Sequence, residues 1–138
     1  MINISDLRRT IEARLEALAP TINRLADPDD DAPLDPDGRV HPYYFLTMGA
    51  PVPPDSFNES LCADPGPDRH EWRVTCVGGD RERCERAAHR VMAAHRGWWP
   101  TGTSGRVRAV PIGGTIDADR TFTPARYYLH LAYVLDAP

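Results

Sequence analysis

The sequence predicts an α+β fold, a single domain over residues 1–138: a two-layer sandwich of about four mainly antiparallel strands, with two helices on one face and two long Pro-rich loops. Three observations predict it. Two segments carry one apolar stripe each at helical spacing, and a helix of that kind buries one side only. Four short runs are aromatic and β-branched or alternate in polarity, as strands do. The order helix, strand, strand, helix, strand, strand contains no run of βαβ units with the glycine signature of a nucleotide-binding sheet.

Residues 4–18 place Ile4, Leu7, Ile11, Leu15 and Leu18 on one helical stripe. Asn3 or Ser5 can cap this helix, Asp6 and Glu12 lie toward its N-terminal half, and Pro20 closes it. Residues 27–38 (DPDDDAPLDPDG) hold six Asp and three Pro, which reads as a solvated loop. A divalent-cation loop would need regular acidic spacing and a terminal Glu, and both are lacking. Residues 43–48 (YYFLTM) read as a strand between Pro42 and Gly49. Residues 49–68 then hold five prolines, a connection long enough to suggest a partner-binding arm.

Residues 70–77 alternate, with Trp72, Val74 and Cys76 on one side and Arg73, Thr75 and Val77 on the other, as in a half-buried strand. Gly78 and Gly79 break it, and Asp80 is a good N-cap. Over residues 81–96 the apolar stripe is Cys84, Ala87, Ala88, Val91, Met92 and His95, and Gly97 suits the C′ position. Residues 106–112 predict a strand at a sheet edge, because of Pro111. Residues 126–135 predict a central strand, since both of its faces carry apolar side chains.

The chain is 41% hydrophobic and 26% charged, ordinary for a globular protein of one core. Its formal net charge of −4 argues against a dedicated nucleic-acid binder, which would show a basic domain or stripe. All 16 basic residues are Arg, a bias that GC-rich coding explains as well as binding does. Cys62, Cys76 and Cys84 have no framework spacing, so reduced thiols are expected. The N-terminus lacks the pattern of a signal peptide, and no run approaches ~18 apolar residues, so a cytosolic product without a membrane span is expected.

The residues that could carry chemistry are scattered. Gly78-Gly79-Asp80 outlines a phosphate-binding turn, yet it lacks the Lys-Ser/Thr of a P-loop and sets a carboxylate where the anion would sit. His89 and His95 lie six apart, on different helix faces, and Cys76 and Cys84 lack the CxxC spacing of a zinc site. Ser56, Ser60 and Ser104 show no nucleophile elbow, and Cys62 has no adjacent base. Glu12, Glu16, Glu82 and Glu85 read as solvated helix carboxylates that pair with Arg8, Arg9, Arg86 and Arg90. No catalytic, cofactor-binding or metal-ligating residue is assigned. In Tyr43-Tyr44 and Trp98-Trp99 one ring of each pair can fill the core while the other anchors an interface.

The segment 72–80 (WRVTCVGGD), running into 84–91 (CERAAHRV), resembles small tail proteins of actinobacterial long-tailed phages, as do residues 39–47 and 117–133. The resemblance spans nearly the whole chain and implies a tail terminator. Such a protein forms a hexameric ring of its own copies, caps the tail tube, stops polymerisation of the major tail tube protein, and offers a surface to the head-completion or connector protein. It implies a virion location at the tail–neck junction, no cofactor, and DNA passing through the ring without specific binding. A ring needs a heterologous interface that closes by rotation, and sheet edges and the Pro-rich loop can supply it. The candidate ring or partner interface is Tyr44, Pro51, Pro53, Pro54, Phe57, Trp98, Trp99, Arg106 and Arg108. The competing expectations are a connector-type adaptor of the same virion neck, a small enzyme using Cys62 or a His–Asp pair, and a non-viral binding module.

Overall fold

The computed structural model describes residues 3–19, 21–25, 27, 29–50, 68–100 and 105–137. The order of elements is α1 (Ile4–Leu18), β1 (Asn23–Arg24), β2 (Tyr43–Met48), β3 (Asp68–Gly78), α2 (Arg81–His95), β4 (Arg108–Val110), β5 (Asp117–Asp119) and β6 (Arg126–Ala137). The two-layer α+β class is as expected. The sheet is larger than expected, with six strands in the order β1-β2-β3-β6-β4, and β5 also pairs with β6. It is mixed, because β1 runs parallel to β2 while the remaining pairs are antiparallel.

α1 begins where the Asn3 side chain accepts the Ser5 N–H at 2.7 Å, a cap that satisfies one of the first free donors. Its buried stripe is Leu7, Ile11 and Leu15, while Leu18 is exposed and lies outside the core. α2 buries Cys84, Ala87, Ala88, Val91, Ala94 and His95. Ala94 thus takes the inward place that the stripe gave to Met92, which is exposed.

Register decides which strand residues meet these helices. Met48, Trp72 and Tyr133 align across β2, β3 and β6, as do Leu46, Val74 and Leu131, and then Tyr44, Cys76 and Leu129. Strand side chains alternate, so these rows share one face. With the α1 and α2 stripes they make the main core. The opposite face carries Tyr43, Phe45, Thr75, Val77, Tyr128 and His130. A second, smaller core forms there from Val40, Tyr43 and Val77, with Leu25, Ala32, Phe45 and Tyr128 against it. The Asp-rich segment is a largely exposed loop, as expected, but it is also anchored: Ala32 packs against the second core and Leu34 bridges Val40. The second Pro-rich loop lies, over residues 51–67, outside the described residues.

Gly78 and Gly79 sit where three backbones converge. A Cβ on Gly78 would lie 2.5 Å from the Cys84 nitrogen, and one on Gly79 would overlap the Val40 backbone. The Gly79 N–H donates to the Val40 carbonyl at 2.8 Å. The pair lets the start of α2 and the acidic loop approach the end of β3 closely, which is why it stands where a phosphate turn could be suspected.

Candidate functional site

The strongest polar cluster is centred on Arg83, in the first turn of α2. Its guanidinium contacts Asp35 at 2.7 Å, Asp37 at 2.8 Å and also Asp80. Asp80 caps the helix by accepting the Arg83 N–H at 2.8 Å and takes a second ion pair from Arg39 at 3.0 Å. His41 Nδ1 lies 2.7 Å from Asp35 and its Nε2 lies 3.0 Å from the Thr21 carbonyl oxygen. Hydrogen bonds from His41 and then Arg83 hold the Asp35 carboxyl below its ordinary value. The Arg39 N–H, followed by Arg83, does the same for Asp37, and the Arg83 N–H, followed by the Arg39 and Arg83 side chains, for Asp80. These groups fasten the acidic loop to the helix. Among the described residues no group of three or more His, Cys, Asp or Glu is arranged to hold a metal ion.

The helix carboxylates are paired in part as expected. Arg86 lies 3.9 Å from Glu82, but Glu12 and Glu16 meet Arg24 of β1, at 3.2 and 3.6 Å, instead of neighbours on their own helix.

His95 is part of the core. Its ring stacks on Tyr133 with centroids 3.8 Å apart, and Trp98 meets it edge-on at 6.0 Å. Nδ1 donates to the Val91 carbonyl at 2.8 Å and Nε2 accepts the Trp72 indole N–H at 3.2 Å. Only the neutral ring satisfies both, and burial pushes its pKa down to about 4. Cys76 and Cys84 are free and buried, the Cys84 thiol donating to the Cys76 carbonyl at 3.4 Å. Burial raises both thiols, Cys84 to about 12, which makes them poor nucleophiles.

At the end of α2 the surface opens into a cleft of about 640 Å³ between that helix, β4 and the segment that follows β4. Leu129 and Leu131 of β6 line its floor, and Met92, Val110 and Ile112 are exposed large apolar residues along it. Arg96, Arg106 and Arg108 also line it, and among the described residues no carboxylate does. Arg108 is oriented by Asp136 at 2.7 Å.

The expected interface residues divide accordingly. Tyr44 is 1% exposed and packs in the main core, and Trp98 is 8% exposed and packs on His95, so neither is a surface anchor. Tyr43 is buried as well, because helices cover one side of β2 and the acidic loop the other. Trp99 is 61% exposed. Arg106 and Arg108 stand at the cleft. Pro51, Pro53, Pro54 and Phe57 lie outside the described residues. Met92, Val110 and Ile112 escaped sequence reasoning. The signal available was Pro111, which marks β4 as an edge and so leaves its neighbours without a covering strand.

On the second sheet face a smaller hollow of about 360 Å³ lies beside Arg126, whose guanidinium rests 3.8 Å over the Phe122 ring and donates to the Tyr43 hydroxyl at 3.2 Å. The helices of the described residues include none long and apolar enough to cross a membrane. In comparison with known proteins, no family model matches the chain and no curated protein matches it by sequence.

Proposed function

We propose that the chain is a tail terminator of a long-tailed phage: a ring-forming virion protein that caps the tail tube, ends its polymerisation and presents the surface joined by the head connector. One observation carries the assembly role. Three of the exposed large apolar residues, Met92, Val110 and Ile112, gather along a single cleft at one edge of the sandwich. An apolar patch rimmed by charge on a small rigid domain marks a protein–protein contact. The choice of a tail terminator among assembly proteins rests on the resemblance of residues 39–47, 72–91 and 117–133 to actinobacteriophage tail proteins. The net charge of −4 is in keeping with a ring through which DNA slides without tight phosphate contacts.

Electron microscopy of lysates from a phage lacking this gene tests the proposal. Overlong, headless tail tubes are the expected result. Normal-length tails detached from filled heads would assign the chain to the connector, and ordinary infectious particles would overturn a tail role.

A further inference from the structure

We infer that the cleft between α2 and β4 is the docking site for residues 29–34 of a second copy of this chain, in a head-to-tail contact. That the occupant is another copy rests on the ring reading above; which segment it presents follows from charge and exposure. Arg96, Arg106 and Arg108 line the cleft, with no carboxylate among its described lining residues and only Arg108 paired, to Asp136 beside it, in a chain whose 20 acidic residues outnumber its 16 arginines. Its floor is apolar. The complementary ligand is a short segment with several carboxylates and one exposed aliphatic side chain.

Residues 29–34 have that composition. Asp29, Asp30 and Asp31 are exposed in succession, and Leu34 is 57% exposed. The segment is held in shape, which lowers the ordering cost of binding. Leu34 bridges Val40 in antiparallel fashion, Ala32 packs against the second core, and the Asp30 carbonyl accepts from Arg126 at 3.4 Å. These anchors set it against the sheet face that bears Tyr43 and Val77. The cleft lies at the β4 margin of the sheet, where it reaches Leu129 and Leu131 of the helix-covered face together with Val110, His130 and Ala132 of the other face. The segment is anchored over β2 and the end of β3 while the cleft lies at the β4 edge of the sheet, so they are two different patches of one protomer, and their contact is one between protomers. A contact between two different patches repeats from copy to copy, and it closes into a ring when the rotation per step divides a full turn.

A charge exchange tests this, read by native mass spectrometry and light scattering over a concentration series at low salt. The cleft variant is Arg96→Glu with Arg106→Glu; the loop variant is Asp30→Arg with Asp31→Arg. All four side chains are exposed, and circular dichroism checks that each variant is folded. Wild-type protein is expected to associate. Each variant alone opposes like charges and is expected to associate at least about tenfold more weakly. An equimolar mixture pairs every cleft with a loop of opposite sign and is expected to recover association. Leu34→Asp is expected to weaken it without affecting the fold.

Wild-type protein that remains monomeric throughout would overturn the inference, as would variants that assemble unchanged or a mixture no better than its parts. Variants that assemble unchanged and still terminate tails would leave the ring reading standing and remove only this contact. The exchange pattern combined with normal tails in the gene deletion would leave the contact and remove the tail role.

Discussion

The indole N–H of Trp72 donates to Nε2 of His95 at 3.2 Å, joining the centre of the sheet to the last turn of α2. Because Nδ1 of the same ring donates to Val91 at 2.8 Å, a second proton on His95 would break the Trp72 bond and set an unscreened charge in the core.

This linkage predicts acid sensitivity well above the carboxylate range. The folded pKa of His95, about 4, lies below its ordinary value of 6.5. The unfolded chain thus binds the extra proton first, and stability falls as pH drops from about 6.5 towards about 4. Between pH 7 and pH 5 the loss is about 2 kcal/mol from this group. Urea denaturation at the two pH values measures it. In His95→Phe that increment should vanish, whatever the variant's stability at pH 7.

Replacing Arg83 with Met should release the acidic loop, since one guanidinium holds Asp35, Asp37 and Asp80 together. Amide exchange of residues 38–41 is expected to accelerate by about an order of magnitude or more while α1 and the strands of the main core stay protected. Equal exchange in variant and wild type would show that the small core of Val40, Tyr43 and Val77 holds the loop unaided. The three carboxyls have lowered pKa values in the folded state, so their contribution is present above the ordinary value of 3.8 and is lost as pH falls through the lowered ones.

Gly78→Ala and Gly79→Ala should each destabilise the fold by about 3 kcal/mol or more, because the added carbon meets backbone atoms that have no room to yield. Gly38→Ala is a useful contrast. Nothing lies within 4 Å of its Cβ position, and its cost comes only from a φ of +84°, about 1 kcal/mol. Thermal denaturation of the three variants should separate crowding from backbone strain.

Cys76 and Cys84 should resist alkylation in the native protein and react only after unfolding. Peptide mapping after a timed iodoacetamide pulse, with and without urea, reads this directly. Rapid native modification of Cys84 would mean that α2 lifts from the sheet far more often than its packing implies.

Legibility in the sequence followed period and range. α1 and α2 declared themselves through stripes such as Leu7, Ile11 and Leu15 and through caps at Asn3 and Asp80. The strand at 43–48 was read with its observed ends. β1 and β5 were missed because two or three residues hold no period to detect. The acidic loop is solvated as its composition implies, but its attachment was not legible, for a different reason. Its anchors lie 48 and 96 residues away, at Arg83 and Arg126, and no local pattern reports such partners. Of the residues expected at an interface, Arg106 and Arg108 fall at the cleft, whereas Tyr44 and Trp98 are internal. An aromatic doublet shows that bulk must be buried without showing how many layers will cover it.

The last strand has a further consequence. β6 spans 12 residues, yet on the side away from β3 it meets β4 at Ala132–Val134 and β5 at Arg126–Tyr128. The opposite margin of the sheet ends in the two residues of β1. Among the described residues neither margin presents a full-length strand without a partner, since β1 covers the Tyr43–Tyr44 end of β2 and β4 and β5 cover parts of β6, so fibre growth by strand addition is disfavoured. In the proposed ring, copies would then have to recognise one another through side chains, whose shape and charge can dictate an angle and hence a finite count.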